Sequence, residues 1–286
     1  MLWVLYSLLS GFFFATADAF TKKAPVEIDD HVLVLSRFML GIPLLLLLFI
    51  IPIPVIGTAF WYAFAGLIPI EALSYTLYIK SIKNSPISLV LPFLSFTPVF
   101  LLLTSFLILG EFPNVMGLVG ILIVVIGAYV LHLKSLKHGM LDPIKSIISD
   151  RGSMYMLIIA FLFSITSTLS KIIVLNSSPF FAVIVYLSSL SIVLFVIALV
   201  MAGKKIFQLK TEFKSLFPIG FFYGLMALFH NMAITLAIVP FIMSIKRSSS
   251  LFSVFYGHFW FKEKNIKARF VGAAIMLSGA GLIILS

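Results

Sequence analysis

Phe100–Ala128, FLLLTSFLILGEFPNVMGLVGILIVVIGA, is written again 152 positions later as Phe252–Ala280, FSVFYGHFWFKEKNIKARFVGAAIMLSGA. Phe100, Glu111, Gly120, Ile123, Gly127 and Ala128 recur as Phe252, Glu263, Gly272, Ile275, Gly279 and Ala280. An earlier pair matches 149 positions on, with Phe12, Phe14 and Lys22 recurring as Phe161, Phe163 and Lys171. The chain is therefore a duplication, and about ten apolar stretches run from Leu2 to Leu285, five to a copy. A unit with an odd number of membrane crossings must insert upside down relative to its duplicate. Inverted repeats of this kind imply a solute carrier with its site between the halves.

Composition points the same way. The 286 residues are 62% hydrophobic and 10% charged, with a mean hydropathy of +1.19. A soluble domain carries roughly 25% charged residues, so the expected fold is an all-α integral membrane bundle. Helices are expected at 2–21, 31–51, 57–79, 86–109, 113–133, 154–175, 179–201, 215–238, 240–261 and 266–285. Each is close to the roughly 20 residues that cross a bilayer. Barrel strands are excluded, because the apolar runs are too long and lack period-two alternation. The expected division is a first five-helix repeat over 1–133, a polar linker over 134–153 and a second repeat over 154–286. Met1–Ser10 lacks the positive start of a signal peptide, and cleavage would leave the first repeat one helix short. The first stretch therefore reads as a retained helix.

The net charge of +10 is distributed by loop. Sixteen of the 20 Lys and Arg follow the first, third, fifth, seventh or ninth stretch, among them Lys22, Lys23, Lys204 and Lys205; the other loops hold none. Equivalent loops of the two copies thus carry opposite bias, as inversion requires. Read literally, the basic loops are cytoplasmic and both termini lie outside. No basic run interleaved with aromatics suggests a nucleic-acid partner. The absence of cysteine excludes disulfides, thiolate metal sites and thiol catalysis. Asp29, Asp30 and His31 crowd one short loop, which reads as a solvated acidic patch; neither a metal nor a cofactor is expected. There is no HExxH, GxSxG or Walker pattern.

Six charges fall inside apolar stretches: Asp18, Arg37, Glu71, Lys171, Lys246 and Arg247. At ~3 kcal/mol each, leaving all six unpaired would cost roughly 18 kcal/mol, more than a typical protein's whole stability. They must be paired, face a wet cavity or snorkel to an interface. Helical spacing places four of them, Asp18, Glu71, Lys171 and Lys246, on polar stripes. Ser7, Gly11, Ala15, Asp18 and Lys22 form one, and Ala160, Ser164, Ser167 and Lys171 form its repeat. Glu71, Ser74, Tyr75 and Tyr78 share a face, as do Lys246, Ser249, Ser250 and Ser253. Tyr223, Ala227, His230 and Asn231 share another.

These stripes suggest one central cavity with solute-contact candidates Arg37, Glu71, Tyr75, Lys171, His230, Asn231, Lys246, Arg247 and Ser250. Glu71 is the candidate for a coupling proton. Plainer readings stand beside these: snorkelling for Asp18 and Lys171, a structural pairing with Asp18 or a carbonyl for Arg37, neutralisation of Lys246 or Arg247 for Glu71, and a satisfied core position for His230. The excess of cations suits an anionic or zwitterionic solute. Gly120 with Gly127, Gly272 with Gly279, and Gly220 with Gly224 sit at close-packing spacings; internal packing is the default reading and a homodimer contact the sharper one. Pro92 and Pro98 are candidate kinks. A channel or non-transporting scaffold is the alternative function, and an intramembrane enzyme comes behind it.

The segment Ser95-Phe-Thr-Pro98-Val-Phe100, the Leu109-Gly110-Glu111 ending, and Gly120 and Gly127 together resemble the repeat of EamA-like members of the drug/metabolite transporter superfamily. Phe261-Lys262-Glu263 with Gly272 and Gly279 repeats the pattern, and Arg37 matches the family's usual arginine in the second helix. The resemblance implies ten helices in two inverted five-helix repeats, with the fifth and tenth outside the cavity. It also implies a non-enzymatic permease in the cell membrane that moves small metabolites by alternating access, often outward. Departures are Ser250 at the Pro98 position and Lys246-Arg247 in an ordinarily apolar stretch. Family members usually keep both termini in the cytoplasm, against the loop charges here.

Overall fold

The computed structural model describes residues 1–84, 93–133, 150–260 and 267–286. Its main helices are α1 (Leu2–Lys23), α2 (Asp30–Phe38), α3 (Thr58–Asn84), α4 (Thr97–Leu109), α5 (Val115–Leu133) and α6 (Arg151–Leu175). α7 (Pro179–Met201), α8 (Phe213–Ile234), α9 (Val239–Lys246), α10 (Ser249–Phe259) and α11 (Lys267–Leu285) follow. No strand occurs among the described residues. Five helical stretches there are long and apolar enough to cross a membrane: Leu2–Lys23, Asp30–Phe49, Arg151–Leu175, Pro179–Met201 and Phe213–Ile234. Thr97–Leu109, Val115–Leu131 and Val271–Leu285 are shorter apolar helices.

Local chemistry sets the ends. The Asp150 carboxylate accepts the Ser153 N–H at 2.7 Å and starts α6 at Arg151, three residues earlier than expected. Ser178 caps α7 with Pro179 in its first turn, where a missing N–H costs nothing. Three expected helices are interrupted. The second gives way after Phe38 to one turn at Gly41–Leu44 and a tighter 3₁₀ turn at Leu45–Phe49, because Pro43 lacks a hydrogen-bond donor. The fourth breaks at Ser95–Phe96, so Pro98 opens α4 instead of kinking a longer helix. The ninth breaks at Arg247–Ser248. These two breaks coincide under the repeat offset. Pro92 and most of the linker lie outside the described residues.

Helix pairing obeys the duplication. α1 packs on α8, and α3 packs on α6; exchanging the halves turns one pair into the other. The same exchange carries the Phe100–Phe161 ring pair onto Phe252–Phe12. Both are edge-to-face, at 5.6 Å and 84° and at 5.3 Å and 86° respectively. The fifth helix of each repeat, α5 and α11, pack directly on each other. A Cβ added to Gly120 would lie 2.8 Å from the Gly279 carbonyl, and one added to Gly127 would lie 2.9 Å from the Gly272 carbonyl. Gly120 therefore faces the counterpart of Gly127, and Gly127 faces the counterpart of Gly120. Equivalent helices run antiparallel, so the repeats are inverted.

Close approach of this kind replaces the hydrophobic drive that lipid removes. All four glycines are in contact within one chain, as the packing reading expects. Gly220 likewise abuts the backbone of α2, where an added Cβ would lie 2.5 Å from the Ser36 carbonyl.

Candidate functional site

Between the halves lies a cavity of about 90 Å³, counted as space open to the centres of water molecules. One water needs roughly 10–15 Å³ on that measure, so there is room for several waters or one small solute. α3 contributes Leu67, Glu71 and Tyr75; α6 contributes Phe163, Thr166, Ser167 and Ser170; α7 contributes Tyr186. α8 supplies Tyr223, Met226, Ala227, His230 and Asn231. Met243, Lys246, Arg247 and Ser249 come from around the break between α9 and α10, and Phe14 from α1. Among the described residues, α5 and α11 contribute nothing to the wall.

Six of the nine residues expected at a solute stand on this wall: Glu71, Tyr75, His230, Asn231, Lys246 and Arg247. Arg37, Lys171 and Ser250 do not. Arg37 is buried and donates through Nη2 to Asp18 at 2.5 Å and to Thr21 Oγ1 at 3.3 Å. Lys171 Nζ is held by Glu111 and by the Ala237 carbonyl at 2.8 Å. Ser250 misses because the Arg247–Ser248 turn resets the register. Ser250 N–H bonds to the Arg247 carbonyl at 3.0 Å and Leu251 N–H to the Ser248 carbonyl at 2.8 Å. These tighter i→i+3 bonds turn the chain further per residue than an α-helix, and Ser249 takes the cavity position.

Of the six charges in apolar stretches, one pair thus closes on itself, Lys171 finds an acid beyond the helix ends, and three face the cavity. Glu71 is 7% exposed. Its Oε1 accepts from Tyr186 at 2.9 Å. Its Oε2 has no partner. Tyr186, Tyr223 and Tyr75 extend that contact as a chain of hydroxyls, with 3.4 Å between the first two and a direct bond between the last two. Phe38 sets its edge or face against all three rings.

Across the cavity, Lys246 Nζ touches Met226 Sδ at 3.3 Å and stands 5.5 Å from the centre of the Phe14 ring. Among the described residues, no carboxylate lies within ion-pair distance of Lys246 or Arg247. Arg247 Nε and His230 Nδ1 are buried without hydrogen-bond partners. Asn231 accepts from Ser170 at 3.4 Å and donates to the Ala227 carbonyl at 2.8 Å, which fixes its amide. Sequence reasoning missed Tyr186. It sits in an almost wholly apolar helix, and the only signal was a phenol where its neighbours are aliphatic.

The architecture is that of a multi-pass integral membrane protein built from two inverted repeats around a cavity lined by both apolar and charged side chains. The chain belongs to the EamA-like transporter family, whose description matches residues 1–133 and again residues 150–285. That family consists of transporters, not enzymes. Among solved structures, one titled only "Crystal structure of protein" shares the fold with a TM-score of 0.75 at 13% sequence identity. The match covers 99% of this chain and 97% of the other. No curated protein matches the chain.

Proposed function

We propose that the chain is a cell-membrane permease that carries a small anionic or zwitterionic metabolite through this cavity by alternating access. One observation carries the reading. A single cavity holds an unmatched carboxylate oxygen, Glu71 Oε2, and unmatched nitrogens on Arg247 and His230. Buried polar atoms without partners are expensive, and a solute bearing an anionic group would satisfy the cationic side. An ammonium on the same solute would satisfy Glu71. Lys246 and Arg247 are the anion contacts in this reading, and Tyr75, Asn231 and Ser249 are the orienting groups. Glu71 carries the coupling proton when no ammonium occupies it. The loops rich in Lys and Arg face the cytoplasm.

Reconstitution into liposomes tests the proposal. Labelled amino acids and small organic anions should show saturable, trans-stimulated flux. Non-saturating conductance would mean a channel. Changing Lys246 and Arg247 together to Met should lower solute affinity roughly tenfold or more in folded protein, because each lost charge-assisted bond is worth about 1.5–3 kcal/mol. Unchanged affinity would remove both residues from the site.

A further inference from the structure

The charges that face the cavity do not balance. Arg37 is matched by Asp18 and Lys171 by Glu111, which leaves Glu71, Lys246 and Arg247 on the wall. With His230 neutral, one carboxylate faces two cations among the described residues, a surplus of one positive charge. Glu71 stands beyond ion-pair distance of both cations. The contacts of Lys246, a thioether at 3.3 Å and the Phe14 ring at 5.5 Å, bring no negative charge. Arg247 keeps a buried Nε without a partner. An uncompensated charge held out of water is expensive, so the cavity favours a solute with one net negative charge. A monoanion cancels the surplus, whereas a zwitterion leaves it in place.

Glu71 sets a second condition. The Tyr186 hydroxyl already donates to its Oε1 at 2.9 Å, while Oε2 is buried and unpartnered. Oε2 needs a donor. An ammonium supplies one together with a positive charge; a hydroxyl supplies one with no charge. A solute with a carboxylate and a hydroxyl meets both conditions. The carboxylate goes to Lys246 and Arg247, as charge-assisted bonding favours, and the hydroxyl donates to Glu71 Oε2. A cavity of about 90 Å³ limits the skeleton to a few carbons.

We propose that the solute is a small hydroxycarboxylate of one net negative charge, and that Lys246 and Arg247 set against Glu71 select that charge. A proton on Glu71 changes the count by one, and a hydroxy dianion then takes the place of the monoanion. Solute and proton together always bring one negative charge. This solute class rests on the carrier reading above and narrows it. Its test reads equilibrium binding without flux, so failed transport and a wrong order of ligands are separate results.

Lactate, alanine and propionate share one skeleton and differ only at C2, which bears a hydroxyl, an ammonium or a hydrogen. In calorimetric titrations of the purified protein at pH 7, lactate should bind about tenfold or more tightly than either of the others. Propionate lacks the donor, and alanine leaves the positive surplus. Lys246→Met removes the surplus, so alanine should overtake lactate, and Arg247→Met should produce the same inversion in a second protein. Glu71→Gln enlarges the surplus. Hydroxymalonate, which is lactate with its methyl replaced by a second carboxylate, should then overtake lactate. A cooperative melting curve checks that each variant is folded. Alanine or propionate equal to lactate in the parent protein, no measurable lactate binding, or an order that ignores these substitutions in folded protein would overturn the assignment.

Discussion

Gly272→Ala is expected to weaken the protein far more than its single methyl suggests. A Cβ built at Gly272 would lie 2.5 Å from the backbone nitrogen of Leu131 and 2.6 Å from its Cα. Non-bonded carbon needs about 3.5 Å, so α5 and α11 must separate by about 1 Å along the seam that joins the repeats. Overpacking typically costs ~1–3 kcal/mol. The obstacle here is backbone, which cannot rotate away, so the upper end applies. A chain of this size loses about 2–4 °C of melting temperature per kcal/mol, which puts the expected drop at roughly 6–12 °C.

Gly281→Ala on the same helix is the control, because nothing lies within 4 Å of a Cβ there. Alanine is the better helix former by ~0.5–1 kcal/mol, so that variant should melt at or slightly above the parent. Both are read by intrinsic fluorescence of purified protein at one fixed heating rate, since membrane proteins often unfold irreversibly. If the two variants melt together, the close antiparallel seam is refuted.

Other substitutions probe the cavity. Glu71→Gln should abolish flux driven by a pH gradient while sparing counterflow exchange; undiminished gradient-driven flux in liposomes would remove the coupling role. Ser249→Ala should lower solute affinity roughly tenfold if its hydroxyl bonds a charged solute group, whereas Ser250→Ala should leave affinity alone. Equal effects in a binding titration would contradict the reset register. Arg37→Met should destabilise by about 2 kcal/mol, between the values for exposed and buried pairs because Asp18 is partly open. Adding Asp18→Asn should recover part of that loss of melting temperature.

The duplication was legible because a fixed offset records it in the sequence itself. Phe100 and Phe252 stand at one offset, Phe12 and Phe161 at another, and the structure brings all four into two matching ring pairs. The charged stripes were legible for a thermodynamic reason, since lipid penalises each unpaired charge. Pairing was harder to read. Lys171 meets Glu111, a residue beyond the end of its own helix, and no helical periodicity links the two.

The interruption at Arg247–Ser248 was equally hidden. Neither Gly nor Pro occurs there, and a stripe drawn on an unbroken helix put Ser250 where Ser249 stands. Tyr186 escaped because a single phenol in an apolar helix generates no stripe. Glycine spacing signalled close approach correctly but left its partner open, and only the fold shows that each repeat supplies the other.

The α5–α11 seam has one more consequence. Its two surfaces are the same set of positions used twice, head against tail, so the contact is self-complementary. A lone five-helix unit already carries the whole recognition code on its last helix, and it would fit a second copy of itself only if that copy entered the bilayer the other way up.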